Sequence, residues 1–244
     1  MERCDFVNDK LRLIQKTEGL TFGTDALLLA GYINGKYKYG CEIGSGSGII
    51  SMLLLTRDKL QETVAVEVQS EYAELTKKNA ELNGLSDRMT TVLSDVREYK
   101  SEKEFDLIYT NPPYMKVDSG RKNKAEKKHI ARHEVCGDIG DFCRCSRRLL
   151  KFGGTFAVVY RPDRLCDLFS AMRQNALEPK RMTLVYADTE SEPSMALVEA
   201  KAGGKSGLLL TKPLIIYKDR SHGEYSDDMN YIMENGSFPK GYKR

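Results

Sequence analysis

No stretch of the 244 residues approaches the apolar length a membrane-spanning helix needs, and the opening Met1-Glu2-Arg3-Cys4-Asp5 has no apolar leader core. The chain is therefore expected to be soluble and cytoplasmic. Cysteines are sparse and scattered: Cys4, Cys41, Cys136, Cys143, Cys145 and Cys166. Cys143 and Cys145 form C-x-C rather than C-x-x-C, so no zinc framework is read and all six are expected to be reduced thiols. His129 and His133 stand four apart, but no third ligand at suitable spacing accompanies them, and no metal is expected. Internal repeats and low-complexity tracts are absent. A large charge imbalance is missing too: 38 basic residues face 35 acidic ones, a net charge of +3, so any nucleic-acid partner must be read from where the charges lie. What remains is an ordinary globular composition, 41% hydrophobic and 30% charged, in a chain long enough to bury a core without staples.

The middle of the chain alternates strand and helix signals. Strands are expected at Tyr39–Ile43, Thr63–Val68, Met89–Leu93, Phe105–Thr110 and Thr155–Tyr160. Helices are expected at Ile49–Arg57, at Glu71–Asn83 (closed by Gly84), at Ile139–Leu150 (stopped by Gly153-Gly154) and at Leu165–Asn175. Beyond this the pattern changes. Arg181–Tyr186, Met195–Ala200 and a shorter Leu214–Tyr217 read as strands without long helices between them. The expectation is an α/β fold: a doubly wound, mostly parallel sheet with an antiparallel C-terminal hairpin and helices on both faces. Ligands of such sheets bind beyond the carboxyl ends of the strands, and the sequence's motifs fall at those ends.

Glu42-Ile43-Gly44-Ser45-Gly46-Ser47-Gly48 closes the first of these strands and opens a helix. Gly44, Gly46 and Gly48 let the backbone turn sharply and approach a ligand. Glu67 ends the next strand, 19 residues after Gly48, where a carboxylate can accept both hydroxyls of a ribose; a solvated strand-end Glu would look the same. Asp95 ends the third strand and can accept an adenine amino group, or serve only as a turn or cap residue. The G-x-G-x-G spacing departs from the G-x-G-x-x-G that seats a dinucleotide pyrophosphate, and Glu42 stands before the loop; both features disfavour an NAD oxidoreductase.

Asn111-Pro112-Pro113-Tyr114 ends the fourth strand. Two prolines stiffen the turn and remove two donors. The Asn111 carboxamide oxygen and the Pro112 carbonyl are acceptors that can converge on one exocyclic NH2, turning its lone pair out of conjugation and toward a sulfonium methyl. Tyr114 can stack on the planar group. Such in-line methyl transfer depends on positioning and electrostatics, with no strong base. The residues predict an S-adenosylmethionine-dependent methyltransferase of a planar amino nitrogen, with Asn111 facing cofactor as well as acceptor.

Lys116, Arg121, Lys122, Lys124, Lys127, Lys128 and Arg132 fall within 17 residues directly after this turn, against Asp118 and Glu126. They read as a loop able to contact RNA phosphates while a target base flips into the pocket; a solvated surface loop is the plain alternative. Arg144, Arg147, Arg148 and Lys151 on the following helix form a second basic group, of which Arg144, Arg148 and Lys151 are expected to share a face.

These residues resemble the class I amino-group methyltransferases, and more closely the bacterial tRNA1(Val) (adenine(37)-N6)-methyltransferase family, over nearly the whole chain. Gly23-Thr24-Asp25-Ala26-Leu27-Leu28-Leu29 is similar to that family's G-T-D-x-x-L-L segment, Glu42 to Gly48 to its cofactor loop, Asn111 to Tyr114 to its catalytic turn, and Ala131-Arg132-His133-Glu134 to the segment after it. Ile215-Ile216-Tyr217 and Glu224-Tyr225-Ser226 resemble its closing strand and tail. Glu42 stands where many relatives have Asp. The resemblance implies a Rossmann-like, seven-stranded class I fold, methylation of adenine N6 in the anticodon loop of a valine tRNA, and a part for Thr24 and Asp25 in closing the cofactor site. One methyltransferase domain is expected, with an N-terminal extension (1–38), a core (39–217) and a tail (218–244), acting as a monomer or weak homodimer. A protein glutamine N5-methyltransferase would share the turn, but that group carries an N-terminal helical bundle, and only about 38 residues precede the first expected core strand here. Methylation of DNA or rRNA is a further alternative, although no separate DNA-recognition domain is visible after residue 200. An RNA-binding module with a decayed cofactor fold is disfavoured by the intact loop, Glu67, Asp95 and turn.

Overall fold

The computed structural model describes residues 2–17, 22–112 and 137–242. Pro113, Tyr114 and the basic segment from Lys116 to Arg132 lie outside these described residues, as do His129, His133 and Cys136.

Five strands run parallel at the centre: β3 (Tyr37–Ile43), β4 (Leu60–Glu67), β5 (Met89–Leu93), β6 (Phe105–Thr110) and β7 (Leu150–Tyr160), in the spatial order β5-β4-β3-β6-β7. The sheet continues with β9 (Pro193–Ala202) antiparallel to β7, then β8 (Leu177–Tyr186) antiparallel to β9. The two-residue strands β10 (Leu209–Leu210) and β11 (Leu214–Ile215) lie parallel to β8 at the outer edge. The expected parallel sheet with an antiparallel hairpin is present. The expected Leu214–Tyr217 strand shrinks to β11.

The central strands are buried on both faces, which explains their nearly unbroken apolar runs. Alternate residues feed two core layers. Leu107, Tyr109, Ala157 and Val159 pack on the side of α1 (Thr24–Tyr32), α2 (Ile49–Thr56) and α3 (Ser70–Leu82). Cys41, Ile43, Ile108, Phe156 and Val158 pack on the side of α4 (Ile139–Leu149) and α5 (Leu165–Gln174). The five cysteines among the described residues are free. No helix among those residues is long and apolar enough to cross a membrane.

Gly153-Gly154 does not stop α4. The helix ends at Leu149 and passes directly into β7, with Leu150 already extended. The glycines lie inside that strand, where Gly153 has φ +75° and the pairing with β6 slips between Phe105 and Leu107. Paired glycines in an apolar run mark a bulge as readily as a helix end, and here they make the bulge.

Further elements were not anticipated, α1 and β10 among them. A separate hairpin, β1 (Glu2–Asn8) and β2 (Leu11–Lys16), precedes α1, and α6 (Asp227–Asn235) follows the sheet. The hairpin is tied to α3 by two side chains one helical turn apart. Asn83 accepts the Arg12 N–H at 3.0 Å and donates to the Arg12 carbonyl at 2.7 Å. Asn79 does the same for Ile14, at 2.7 and 3.0 Å. A helical turn and a two-residue strand repeat have similar lengths, so residues four apart on α3 can serve alternate residues of β2.

Candidate active site

From β3 the chain builds outward through β4 and β5, then crosses back to place β6 on the other side of β3. This reversal opens a crevice at the carboxyl ends of β3 and β6. The glycine loop leaves β3 there, and Asn111-Pro112 leaves β6 there.

The loop has a fixed shape. Gly44, Gly46 and Gly48 have φ of +75°, +56° and +77°. Gly44 and Ser45 both donate to the Val66 carbonyl, at 2.8 and 3.1 Å, which folds the loop over the end of β4. From α3, Thr76 donates to the Gly46 carbonyl at 2.8 Å and Asn79 to the Ser47 carbonyl at 3.0 Å. At Gly48 a Cβ would meet Met89 Cε at 2.8 Å and Thr76 Cγ2 at 2.9 Å, so this glycine is required by packing as well as by φ. At Gly46 nothing lies within 4 Å of a Cβ position: the backbone there faces open space.

Glu67 is 5% exposed at the end of β4. One oxygen accepts the Gly46 N–H at 2.9 Å, the other the Gln69 N–H at 3.0 Å. Glu42 is buried beneath the loop. Its Oε2 accepts the Ser51 N–H at 3.0 Å and the Ser51 hydroxyl at 2.5 Å, which fixes the first turn of α2. Burial pushes its carboxyl up to about 8, against the lowering effect of the Ser51 hydrogen bonds, so it is protonated at neutral pH. Asp95 follows β5 in a tight turn. Its carboxylate accepts the Arg97 N–H at 2.8 Å and the Arg97 guanidinium at 2.9 Å, and these hydrogen bonds hold it below the usual carboxylate range.

Asn111 emerges from β6, whose end is anchored by the Thr110 hydroxyl donating to the Ile43 carbonyl at 2.7 Å. Its Nδ2 donates to Asp25 Oδ2 at 2.8 Å, while its Oδ1 is buried with no partner among the described residues. Pro112 is buried beside it. Asp25 lies in the first turn of α1, next to the exposed Thr24. The structure thus brings Gly44, Gly46, Gly48, Glu67, Asp25 and Asn111 to one sheet edge, sets Glu42 beneath them, and puts Asp95 at the neighbouring strand end.

The methyltransferase small domain family matches residues 17–174. A tRNA1(Val) (adenine(37)-N6)-methyltransferase of Porphyromonas gingivalis is 30% identical over 188 residues, covering 72% of each chain. Its namesake from Phocaeicola vulgatus is 29% identical over 180 residues, 73% of this chain and 76% of the relative. The chain belongs to the methyltransferase small domain family, among the tRNA1(Val) (adenine(37)-N6)-methyltransferases. Among solved structures, a predicted O-methyltransferase from Agrobacterium tumefaciens superposes with a TM-score of 0.70 over 88% of this chain and 98% of that one, at 20% identity, a likeness of fold.

Within this methyltransferase fold several supporting side chains escape motif reading. Ser51 links Glu42 to the Tyr109 hydroxyl at 2.7 Å, and Tyr109 reaches Thr63 at 2.9 Å, forming a buried polar chain under the crevice. Lys59 donates to the carbonyls of Ala30, Gly31 and Ile33 at 2.8, 3.0 and 2.8 Å, capping the carboxyl end of α1. The available signal was polarity inside otherwise apolar stretches: Ser51 within Ile49–Leu55, Lys59 just before β4, Asn79 on the buried side of α3. The second basic group does not share one helix face, because α4 ends at Leu149 and Lys151 lies in β7; its members have structural work to do. Arg148 donates to the Val96 and Tyr99 carbonyls at 3.1 and 2.8 Å, Arg144 pairs with Asp141 at 2.7 Å, and Lys151 pairs with Asp106.

Proposed function

We propose that this chain transfers the methyl group of S-adenosylmethionine to the N6 amino group of an adenine in tRNA, adenine 37 in the anticodon loop of a valine tRNA. The observation that carries the reading is the buried Asn111 Oδ1, unpartnered among the described residues, at the crevice between β3 and β6. A buried acceptor without a donor costs about 1–3 kcal/mol, and a substrate N–H would recover it.

The residues fit the cofactor. The open backbone at Gly46 admits a ligand close to the loop. Each Glu67 oxygen keeps lone-pair capacity beyond its one backbone N–H, enough for two ribose hydroxyls. Asp95, held ionised by Arg97, offers an acceptor to an adenine amino group. Glu42, neutral and tied to Ser51, supports the loop from below and adds no charge to the site. When bound, S-adenosylmethionine supplies an electrophilic methyl on a sulfonium.

On the protein side, Asn111 Oδ1 accepts one hydrogen of the target amino group, and the Pro112 carbonyl takes the other. Pulling both hydrogens to one side directs the nitrogen lone pair at the methyl, and the surplus proton leaves after transfer. Tyr114 stacks on the base, and Lys116, Arg121, Lys122, Lys124, Lys127, Lys128 and Arg132 hold RNA phosphates around it. Thr24 closes the rim of the cofactor site.

Transfer of tritiated methyl to total tRNA, rRNA, DNA and protein, followed by nucleoside and amino-acid analysis, tests the reading. N6-methyladenosine in tRNA is the expected product, lost on Asn111→Ala while cofactor still binds. Label in glutamine or in DNA would overturn it.

A further inference from the structure

Asp25 has a more specific task than closing the cofactor site. A carboxylate is an acceptor only, and both of its oxygens are used: Oδ1 takes the Ala26 N–H at 2.8 Å and Oδ2 takes Asn111 Nδ2 at 2.8 Å. Reversing the Asn111 amide would set two acceptor oxygens face to face at that distance. The carboxamide therefore has one permitted orientation, with nitrogen toward Asp25 and oxygen toward the crevice.

The carboxylate is itself immobilised. It lies in the first turn of a nine-residue helix, where the backbone dipole favours negative charge. A side chain at position 23 would approach Asp25 Oδ1 to 2.8 Å, so Gly23 leaves the room it needs. Lys59 holds the opposite end of α1 through three carbonyls.

We propose that Asp25 is a positioning residue that sets the polarity of the acceptor pocket: by locking the Asn111 amide, it makes the pocket select N–H donors and reject carbonyl oxygens. The inference rests on Asn111 Oδ1 receiving the substrate N–H, as in the function proposed above. An amide at position 25 cannot reproduce the lock. Its single oxygen serves either the Ala26 N–H or Asn111, and its NH2 then faces the other donor. Asn111 is released to flip, presenting a donor to the substrate amino group.

A polarity swap tests this. Asp25→Asn is expected to lower kcat about 10²-fold, the scale of losing one preorganised transition-state contact, with cofactor affinity by calorimetry falling far less than kcat. Asn111→Asp alone places two carboxylates in contact and is also expected to be inactive. The double variant Asp25→Asn/Asn111→Asp restores one donor facing one carboxylate, with a free oxygen in the crevice, and is expected to recover at least about tenfold in kcat over either single variant. An RNA carrying inosine at the target position should inhibit Asp25→Asn more strongly than the wild type. Unchanged kcat in Asp25→Asn, or a double variant no better than the worse single one, would overturn the proposal. The swap is read on whichever amino group the wild type methylates. A wild type that modifies another nitrogen refutes adenine N6 as the target without touching the lock.

Discussion

The Glu67 carboxylate reaches back across the sheet edge and accepts the Gly46 N–H at 2.9 Å, joining the strand-end acid to the loop in one rigid piece. Its other oxygen holds Gln69, at the entrance to α3. One side chain therefore shapes the loop and, in the proposed function, offers acceptors to a ribose.

Glu67→Ala removes both contributions. Cofactor affinity measured by calorimetry should fall about 10- to 100-fold, the worth of one or two charge-assisted hydrogen bonds. Undiminished affinity would place the ribose elsewhere.

Glu42 makes stability pH-dependent with an unusual sign. In the folded chain its carboxyl stays protonated up to about pH 8, because burial outweighs the Ser51 hydrogen bonds. The same carboxyl in the unfolded chain ionises near about pH 4.3. Between these values the folded state holds the extra proton, so this group's contribution to stability is full at the acid end and declines as pH rises through the window. Glu42→Gln is a neutral near-isostere without that slope. In urea titrations the variant should lose less stability than the wild type between pH 5 and pH 8, by up to about 1.4 kcal/mol per pH unit inside the window. Parallel profiles would show that Glu42 is already ionised.

Lys59→Met keeps the apolar stem and deletes the ammonium that serves three carbonyls of α1. The expected cost is about 1–3 kcal/mol in chemical denaturation, with the slope of the transition unchanged. Because α1 carries Asp25, turnover should fall as well, and cofactor binding should fall less.

The basic segment makes a prediction from sequence alone. Charge reversal of Lys122, Lys124 and Lys127 to Glu should weaken RNA binding and reduce the slope of log affinity against log salt by about 2, at about 0.7 per lost phosphate contact. Filter binding at several salt concentrations measures it, and an unaltered slope would remove the segment from the interface.

Much of the sheet was legible because its strands end in residues that cannot continue them. β5 and β6 match the expected Met89–Leu93 and Phe105–Thr110 residue for residue, since an Asp-containing turn and a double proline stop them. α1 was not legible as a helix. Ala26, Leu28, Leu29, Ala30, Gly31 and Tyr32 are buried on nearly every side, so no polar stripe gives a period. β1 failed for the opposite reason, being mostly exposed. α6 carried readable signals in its Ser226 cap and the left-handed Gly236 after it, but its amphipathic span is short. At the site, each motif residue was visible by type and spacing. The partnerships were not: Asp25 with Asn111 spans 86 positions, and Glu42 with Ser51 looks like an ordinary helix start. Contacts across the sheet edge leave no periodic trace in the chain.

Asn79 of α3 ties the N-terminal hairpin to the glycine loop, so the proposed cofactor site predicts a coupling between hairpin and ligand. Asn79 binds the backbone of Ile14 on one side and the carbonyl of Ser47, in the glycine loop, on the other. A strand pair that forms no part of the main sheet thereby shares an anchor with the glycine loop. Linkage makes the exchange reciprocal. Whatever free energy the docked hairpin lends to the loop is returned when the loop is filled, so saturation of the site should slow amide exchange at Arg12 and Ile14, two backbone positions held by Asn83 and Asn79.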